Sequence, residues 1–392
     1  MLDTRKLVPS VSTKGHPRSI PSLDGLRAIA VLGVLAAHCG IPQFVAWKLA
    51  SYHLGLASRL IDVDWGDLGV STFFVISGFL ITTLLVKKSA LPSLSDFYTR
   101  RFFRIFPPYY VYLAVIGILW LAGWVPMLRG AFISSVLYLS NYFPYTVSEP
   151  AGRGWLVGHT WSLSLEEQFY LFWPFVLLRF GRQKALWVAV SILLLSPFLR
   201  ILTLRMAPWT VDHFQIDRMF HTRMDTIITG CVLALMEDSP KAYKAMEWAV
   251  RQPWLATVGL IALWVVQVED GIHFGLMQAA GMSAEAVLLG YLIFYAVQNG
   301  SGWSGRLLNL APLRHIGMIS YSLYLWQQLF TGATRVPVRH RWMAVVLTFC
   351  CAETSYYLVE MPSLRLRDRY LALRRGRPQA ANRQSVVQRV EL

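Results

Sequence analysis

Apolar residues run through this chain in long blocks separated by short polar segments. Blocks long enough to cross a bilayer occupy 26–42, 68–86, 105–123, 161–178, 185–204, 218–236, 254–269, 278–298, 315–331 and 342–359. One further block, 131–142, is too short to cross alone. The pattern predicts an all-α polytopic membrane protein of about ten transmembrane helices. It also predicts a short re-entrant or interfacial helix at 131–142, tolerable where it lines a cavity.

Basic residues set the orientation. Lys87, Lys88, Arg100, Arg101 and Arg104 come after the second block, Arg179, Arg182 and Lys184 after the fourth, and eight arginines lie between Arg365 and Arg389. Placing all three groups inside puts both termini in the cytoplasm, provided that 131–142 does not cross. Arg335, Arg339 and Arg341 then fall outside, so either the later helices are misplaced or these arginines meet an anionic group. The chain divides into three regions. Residues 1–21 form a basic cytoplasmic tail without the apolar core of a signal peptide. Residues 22–362 form one membrane-embedded domain. Residues 363–392 form a basic, disordered tail against anionic lipid headgroups. The roughly thirty residues after Glu360 are too few for a second soluble core, and no internal repeat is visible.

Composition agrees. The chain has 392 residues, 55% of them hydrophobic and only 15% charged, against roughly 25% charged in a soluble domain. Its mean hydropathy is +0.43. The net charge of +15 would suggest nucleic acid in a soluble protein, but the excess lies in short loops and at the ends. No basic patch alternates with exposed aromatics, so no nucleic-acid partner is expected. Cys39, Cys231, Cys350 and Cys351 lie in or beside apolar blocks without metal-ligand spacing, and no metal is expected.

Polar residues inside such blocks are costly and mark function. Arg27 and His38 stand eleven residues apart in one block, on one helical face and roughly 16 Å apart along the axis. Asp24 lies one turn before Arg27. A second group is His159, Trp161, Ser162, Ser164, Glu166, Glu167 and Tyr170, at the start of the fourth block. Helix-dipole pairing accounts for one of the two glutamates, and Ser162 or Ser164 could cap the helix. A carboxylate near an imidazole would orient it and favour its protonated form. Arg101 and Arg104, at i and i+3, face the same way, which suits phosphate binding as well as topology. Arg223 and Asp225 are two apart and cannot face each other on a helix, so each is expected to pair with another helix.

In this order the residues resemble the acyltransferase-3 family of integral membrane acyltransferases. The likeness rests on Ser22, Leu23, Asp24, Gly25, Leu26 and Arg27 followed by His38. It continues in Gly69 to Leu80, with Phe73, Phe74, Ser77 and Gly78, and in Arg101-Phe102-Phe103-Arg104. Trp161 to Tyr170, Arg223-Met224-Asp225 with Gly230, and Ile319 to Trp326 with Tyr321 and Tyr324 complete it. Ser71 stands where the family often has Asp, and Gln327 where it often has His, which shifts proton transfer onto His38 and Glu166.

The resemblance implies an enzyme moving an acyl group, usually acetyl, from cytoplasmic acyl-CoA to a hydroxyl of a glycan or lipid-linked glycan such as an exopolysaccharide or lipopolysaccharide. It implies a bacterial inner-membrane location and, with no fused extracytoplasmic hydrolase-like domain in this sequence, the stand-alone type. Arg27, Arg101 and Arg104 would hold the nucleotide phosphates, and the Arg27–His38 spacing is comparable to an extended phosphopantetheine arm. His38 would act as general base or acyl carrier, oriented by Glu166. Asp24, Glu167, Arg223, Asp225 and Tyr321 would support the site, and Trp161 and Tyr170 could stack on a sugar. The competing readings are a proton-coupled transporter of a glycan or lipid precursor, an acyltransferase acting on a macrolide or other small molecule, and a non-catalytic acyl-CoA sensor. Nothing in the sequence fixes an oligomeric state.

Overall fold

A computed structural model describes residues 21–52, 63–86, 93–143, 154–207, 216–236, 239–269, 277–331 and 340–376. Among these residues the protein is all-helical, with no strand. The helices are α1 Pro21–His38, α2 Ile41–Ser51, α3 Trp65–Val86, α4 Leu94–Leu121, α5 Arg129–Val136, α6 Thr160–Met206, α7 Phe220–Leu235 and α8 Pro240–Val250. They continue with α9 Pro253–Glu269, α10 Met282–Gln298, α11 Trp303–Leu308, α12 Ala311–Met318, α13 Ser320–Phe330, α14 Arg341–Ser355 and α15 Met361–Gly376.

Five helices are long and apolar enough to cross a membrane, or up to seven if each of two bent pairs counts as one span. The expected ten are not reached, for local reasons. The 315–331 block is broken near Ile319 into the short helices α12 and α13. Helix α7 is only 16 residues long and buries Arg223 and Asp225. The α1–α2 pair bends by 68° at Cys39–Gly40. Conversely, α6 has 47 residues and would be about 70 Å long if straight, more than twice the hydrocarbon thickness. Gly181, at φ 73° and ψ 172°, interrupts it within the predicted basic loop. A positive φ costs little only in glycine. The 131–142 block forms the short helix α5 and a 3₁₀ turn, Ser140–Tyr142.

Residues 363–376, expected to be disordered, belong to the helix α15. It packs on the N-terminal end of α4: Leu371 is buried, and Ser363 Oγ donates to the Phe103 carbonyl at 2.6 Å. That packing gives the basic segment an apolar seat, which its composition did not announce. Residues 1–20, 377–392, Arg335 and Arg339 lie outside the described residues.

Small residues set how closely the central helices approach. A Cβ on Gly78 of α3 would collide with the Ile227 carbonyl of α7, and one on Gly230 of α7 with the Val75 carbonyl of α3. The two backbones are therefore in mutual contact, the packing that small residues permit between membrane helices. Aromatic side chains fill the centre, among them Phe74, Tyr109, Tyr112, Phe169 and Trp173. The Trp173 indole N–H finds an acceptor in Thr82 Oγ1 at 2.7 Å. Large apolar residues such as Leu121, Leu171, Phe175 and Phe198 face outward, as a lipid-contacting surface requires.

Candidate active site

A cleft opens among α1, α3, α4, α6 and α13. Arg27 from α1 and Arg101 and Arg104 from α4 line it together with Ser77, Glu166, Tyr170, Tyr321 and Tyr324. The i, i+3 spacing on α4 does bring Arg101 and Arg104 to one surface. Arg27 is close enough to both to be repelled by them, so the cleft concentrates positive charge. Arg27 Nη1 is 3.8 Å from Asp24 one turn earlier. The Arg101 guanidinium lies 4.1 Å over the Tyr170 ring, a cation–π contact that holds it in place. The Tyr321 hydroxyl donates to the Ile105 carbonyl at 2.9 Å.

Glu166 is the acid of this cleft. It is within hydrogen-bonding reach of the Ser77 and Tyr170 hydroxyls and is attracted by Arg101 and Arg27. It is therefore not the partner of His38, contrary to the expectation from sequence. Glu167, next to it, feels the same Arg101 charge. Tyr170 is covered by Arg101, and Trp161 is buried against Phe74 (5.9 Å) and under Arg218 (5.4 Å). Tyr170 nevertheless lines the cleft, and Trp161 does not. Ser162 and Ser164 do not cap α6. Ser162 Oγ is 2.6 Å from the Tyr324 hydroxyl, and Ser164 Oγ is 2.8 Å from Ser140 Oγ.

His38 sits at the other end of α1, outside the residues that line the cleft. Its Nδ1 is 3.0 Å from Gln327 Oε1, and its ring meets Trp155 edge-on at 5.3 Å. The Trp155 indole N–H in turn reaches the carbonyls of Thr331 (2.8 Å) and Gln328 (3.2 Å). Gln328 Oε1 takes His159 Nδ1 at 2.6 Å. Two adjacent glutamines of α13 thus hold two histidines. With the Gln327 side-chain carbonyl accepting, His38 carries its proton on Nδ1 and presents a lone pair at Nε2. Tyr324, which lines the cleft, donates its hydroxyl to the His159 carbonyl at 3.0 Å.

Arg223 and Asp225 pair with other helices, as their spacing requires. Arg223 Nη2 is 2.8 Å from Asp67 and 2.6 Å from Ser71 Oγ on α3. Asp225 Oδ2 accepts from Arg200 at 2.6 Å and from Ser283 at 2.5 Å. Both sit in buried interhelical ties away from the cleft lining. Asp67 and Arg200 escape sequence reading because each is one charge near a helix end or loop. Gln327 left a trace, as the amide standing where relatives often carry an imidazole. No group of three or more metal-ligating side chains occurs among the described residues.

A family model described as an acyltransferase domain matches residues 20–355, from just before Asp24 to the end of α14. The chain belongs to the acyltransferase-3 family. Similar proteins include the peptidoglycan O-acetyltransferase OatA of Listeria monocytogenes, 28% identical over 379 residues, covering 90% of this chain and 57% of the relative. The O-acetyltransferase OatA of Staphylococcus aureus (strain NCTC 8325 / PS 47) is 29% identical over 378 residues, with 88% and 57% covered. The chain therefore spans little more than half the length of these relatives. No solved structure matches it. As a member of this family with several membrane-crossing helices, it is an integral membrane protein.

Proposed function

We propose that the protein is a membrane O-acetyltransferase that moves acetyl from cytoplasmic acetyl-CoA to a hydroxyl of a glycan. The observation that carries this reading is the convergence of Arg27, Arg101 and Arg104 on one cleft at one end of α1, with His38 at the other end of the same helix. Three guanidiniums beside an apolar wall of Val70, Phe73 and Phe74 suit a donor with phosphates at one end and a thin apolar arm behind them. The rise from Arg27 to His38, roughly 16 Å, gives that arm its length.

In the proposed reaction the acceptor hydroxyl gives its proton to His38 Nε2 while its oxygen attacks the thioester carbonyl. The C–S bond breaks, the sulfur leaves with its electron pair, and the proton passes from His38 to the CoA thiolate. Gln327 keeps the imidazole in the tautomer that can accept the proton, the part that an acid plays in hydrolase triads. A neutral amide orients without adding charge, so the imidazolium has no counter-ion from Gln327. Arg218 and Asp64 are the charges that His38 feels. The similarity to the peptidoglycan O-acetyltransferase OatA of Listeria monocytogenes favours a surface glycan as acceptor.

Deleting the gene and comparing O-acetylation of surface glycans by NMR tests the reading. Complementation with wild type should restore the acetyl signals, and complementation with His38→Ala should not. Restoration by His38→Ala to the wild-type level would falsify the mechanism. A transporter is separated by release of CoA thiol from acetyl-CoA in the presence of glycan acceptor, which only an enzyme produces.

A further inference from the structure

Glu360 is a fully buried carboxylate that lies beyond residue 355, where the family match ends. It closes the five-residue wide turn Tyr356–Glu360 between α14 and α15. Such a turn inserts one residue and rotates the next helix by about 100°. Here it sets Glu360 against α13 and α4. One carboxylate oxygen accepts from Ser322 Oγ at 3.1 Å. The other is 3.4 Å from Arg104 Nη1 and takes no hydrogen bond. The pair is held by charge, and Arg104 also lines the cleft.

Arg104 has an alternative. Its side chain is 35% exposed and stands at the cytoplasmic end of α4, where a long cationic side chain can turn to lipid phosphates. A buried acid on the cleft side opposes that. The acid is itself braced, because α15 is tied to α4 twice. Ser363 bonds the Phe103 carbonyl, and Arg374 Nη1 bonds Ser95 Oγ at 2.6 Å with Asp96 3.6 Å away. We infer that Glu360 is a positioning residue that holds Arg104 over the cleft in competition with lipid headgroups, and so sets the affinity for a phosphate-bearing donor. The inference rests on the cleft being the donor site.

The test measures CoA binding by the full chain in nanodiscs of phosphatidylglycerol and, separately, of phosphatidylcholine. Glu360→Gln keeps the size and the Ser322 bond but removes the charge. It should raise the Kd for CoA by about three- to tenfold, the scale of one partly exposed charge pair. The effect should be larger in phosphatidylglycerol, whose headgroups compete for Arg104. Glu360→Asp should recover part of the loss. In an Arg104→Ala background Glu360→Gln should change nothing further, since its route of action is gone. Ser322→Ala, which loosens Glu360 without touching its charge, should give a smaller shift in the same direction and covers the case in which Glu360→Gln does not fold. An unchanged or lowered Kd in Glu360→Gln, a full effect persisting in Arg104→Ala, or no dependence on lipid charge overturns the inference. A wild-type protein that does not bind CoA overturns the donor-site reading, and the inference with it. That outcome is distinct because wild type binds in all the others.

Discussion

The two ends of α1 are built on opposite principles. At the Arg27 end, three cations from two helices crowd a cleft, with Glu166, Asp24 and Glu360 as counter-charges around them. At the His38 end, neutral groups do the holding, namely Gln327 on the imidazole, Trp155 against its edge, and Gln328 on neighbouring His159. Charge binds polyanions over several ångströms and tolerates imprecise placement. A tautomer-fixing hydrogen bond demands geometry and adds no field. On the proposed function, one helix would separate a binding task from a proton-transfer task.

Substitutions at each end should divide along that line. His38→Ala should cut acetyl transfer by about a thousandfold, the scale of losing a positioned base, while the Kd for CoA stays at the wild-type value in equilibrium binding. If both parameters fall together, the separation is wrong. Arg101→Ala should raise the KM for acetyl-CoA by about tenfold or more, with a smaller change in kcat, since it removes a charge-assisted contact. A steady-state acetyl-CoA titration reads this, and a fall in kcat at unchanged KM would place Arg101 with the chemistry. Gln327→Ala should lower kcat by about tenfold, the order expected when one buried hydrogen bond is lost, and leave the KM alone. Gln327→His, restoring the residue frequent in relatives, should lose less. Ser77→Ala, which takes one hydroxyl from Glu166, should change the acetyl-CoA KM by about twofold and kcat not at all.

Sequence made one kind of feature legible and hid another. The Arg27–His38 and Arg101–Arg104 spacings are properties of single helices; periodicity anticipated that Arg101 and Arg104 reach one surface, and α1 carries both Arg27 and His38. The spacing of Arg223 and Asp225 likewise foretold that they turn to different neighbours. The partners of Glu166 and His38 are properties of how helices rotate against one another, which no single-helix pattern encodes. Glu166 therefore went to Ser77, Tyr170 and the arginines, while His38 went to an amide that reads as unremarkable in the sequence. Ser162 and Ser164 look like caps locally but face a tyrosine hydroxyl and another serine. The count of ten spans is not confirmed among the described residues, where apolar blocks are broken near Ile319, bent at Cys39–Gly40, or carry buried charges as in α7. Helix α15 was missed because its arginines outweigh Leu371, the residue that seats it.

The backbone contact of α3 with α7 at Gly78 and Gly230 has a consequence for motion. Where two backbones touch, neither helix can slide or rotate past the other without a collision that no side-chain rearrangement relieves. The Arg223–Asp67 tie joins the same two helices. Helices α3 and α7 therefore travel as a single bar. The apolar wall that α3 lends to the cleft through Val70, Phe73 and Phe74 is then a fixed one, and on the proposed function it would guide the donor arm. Any change in the width of that passage must come from the other walls, α1, α4, α6 and α13, of which α13 begins at a break in its own block.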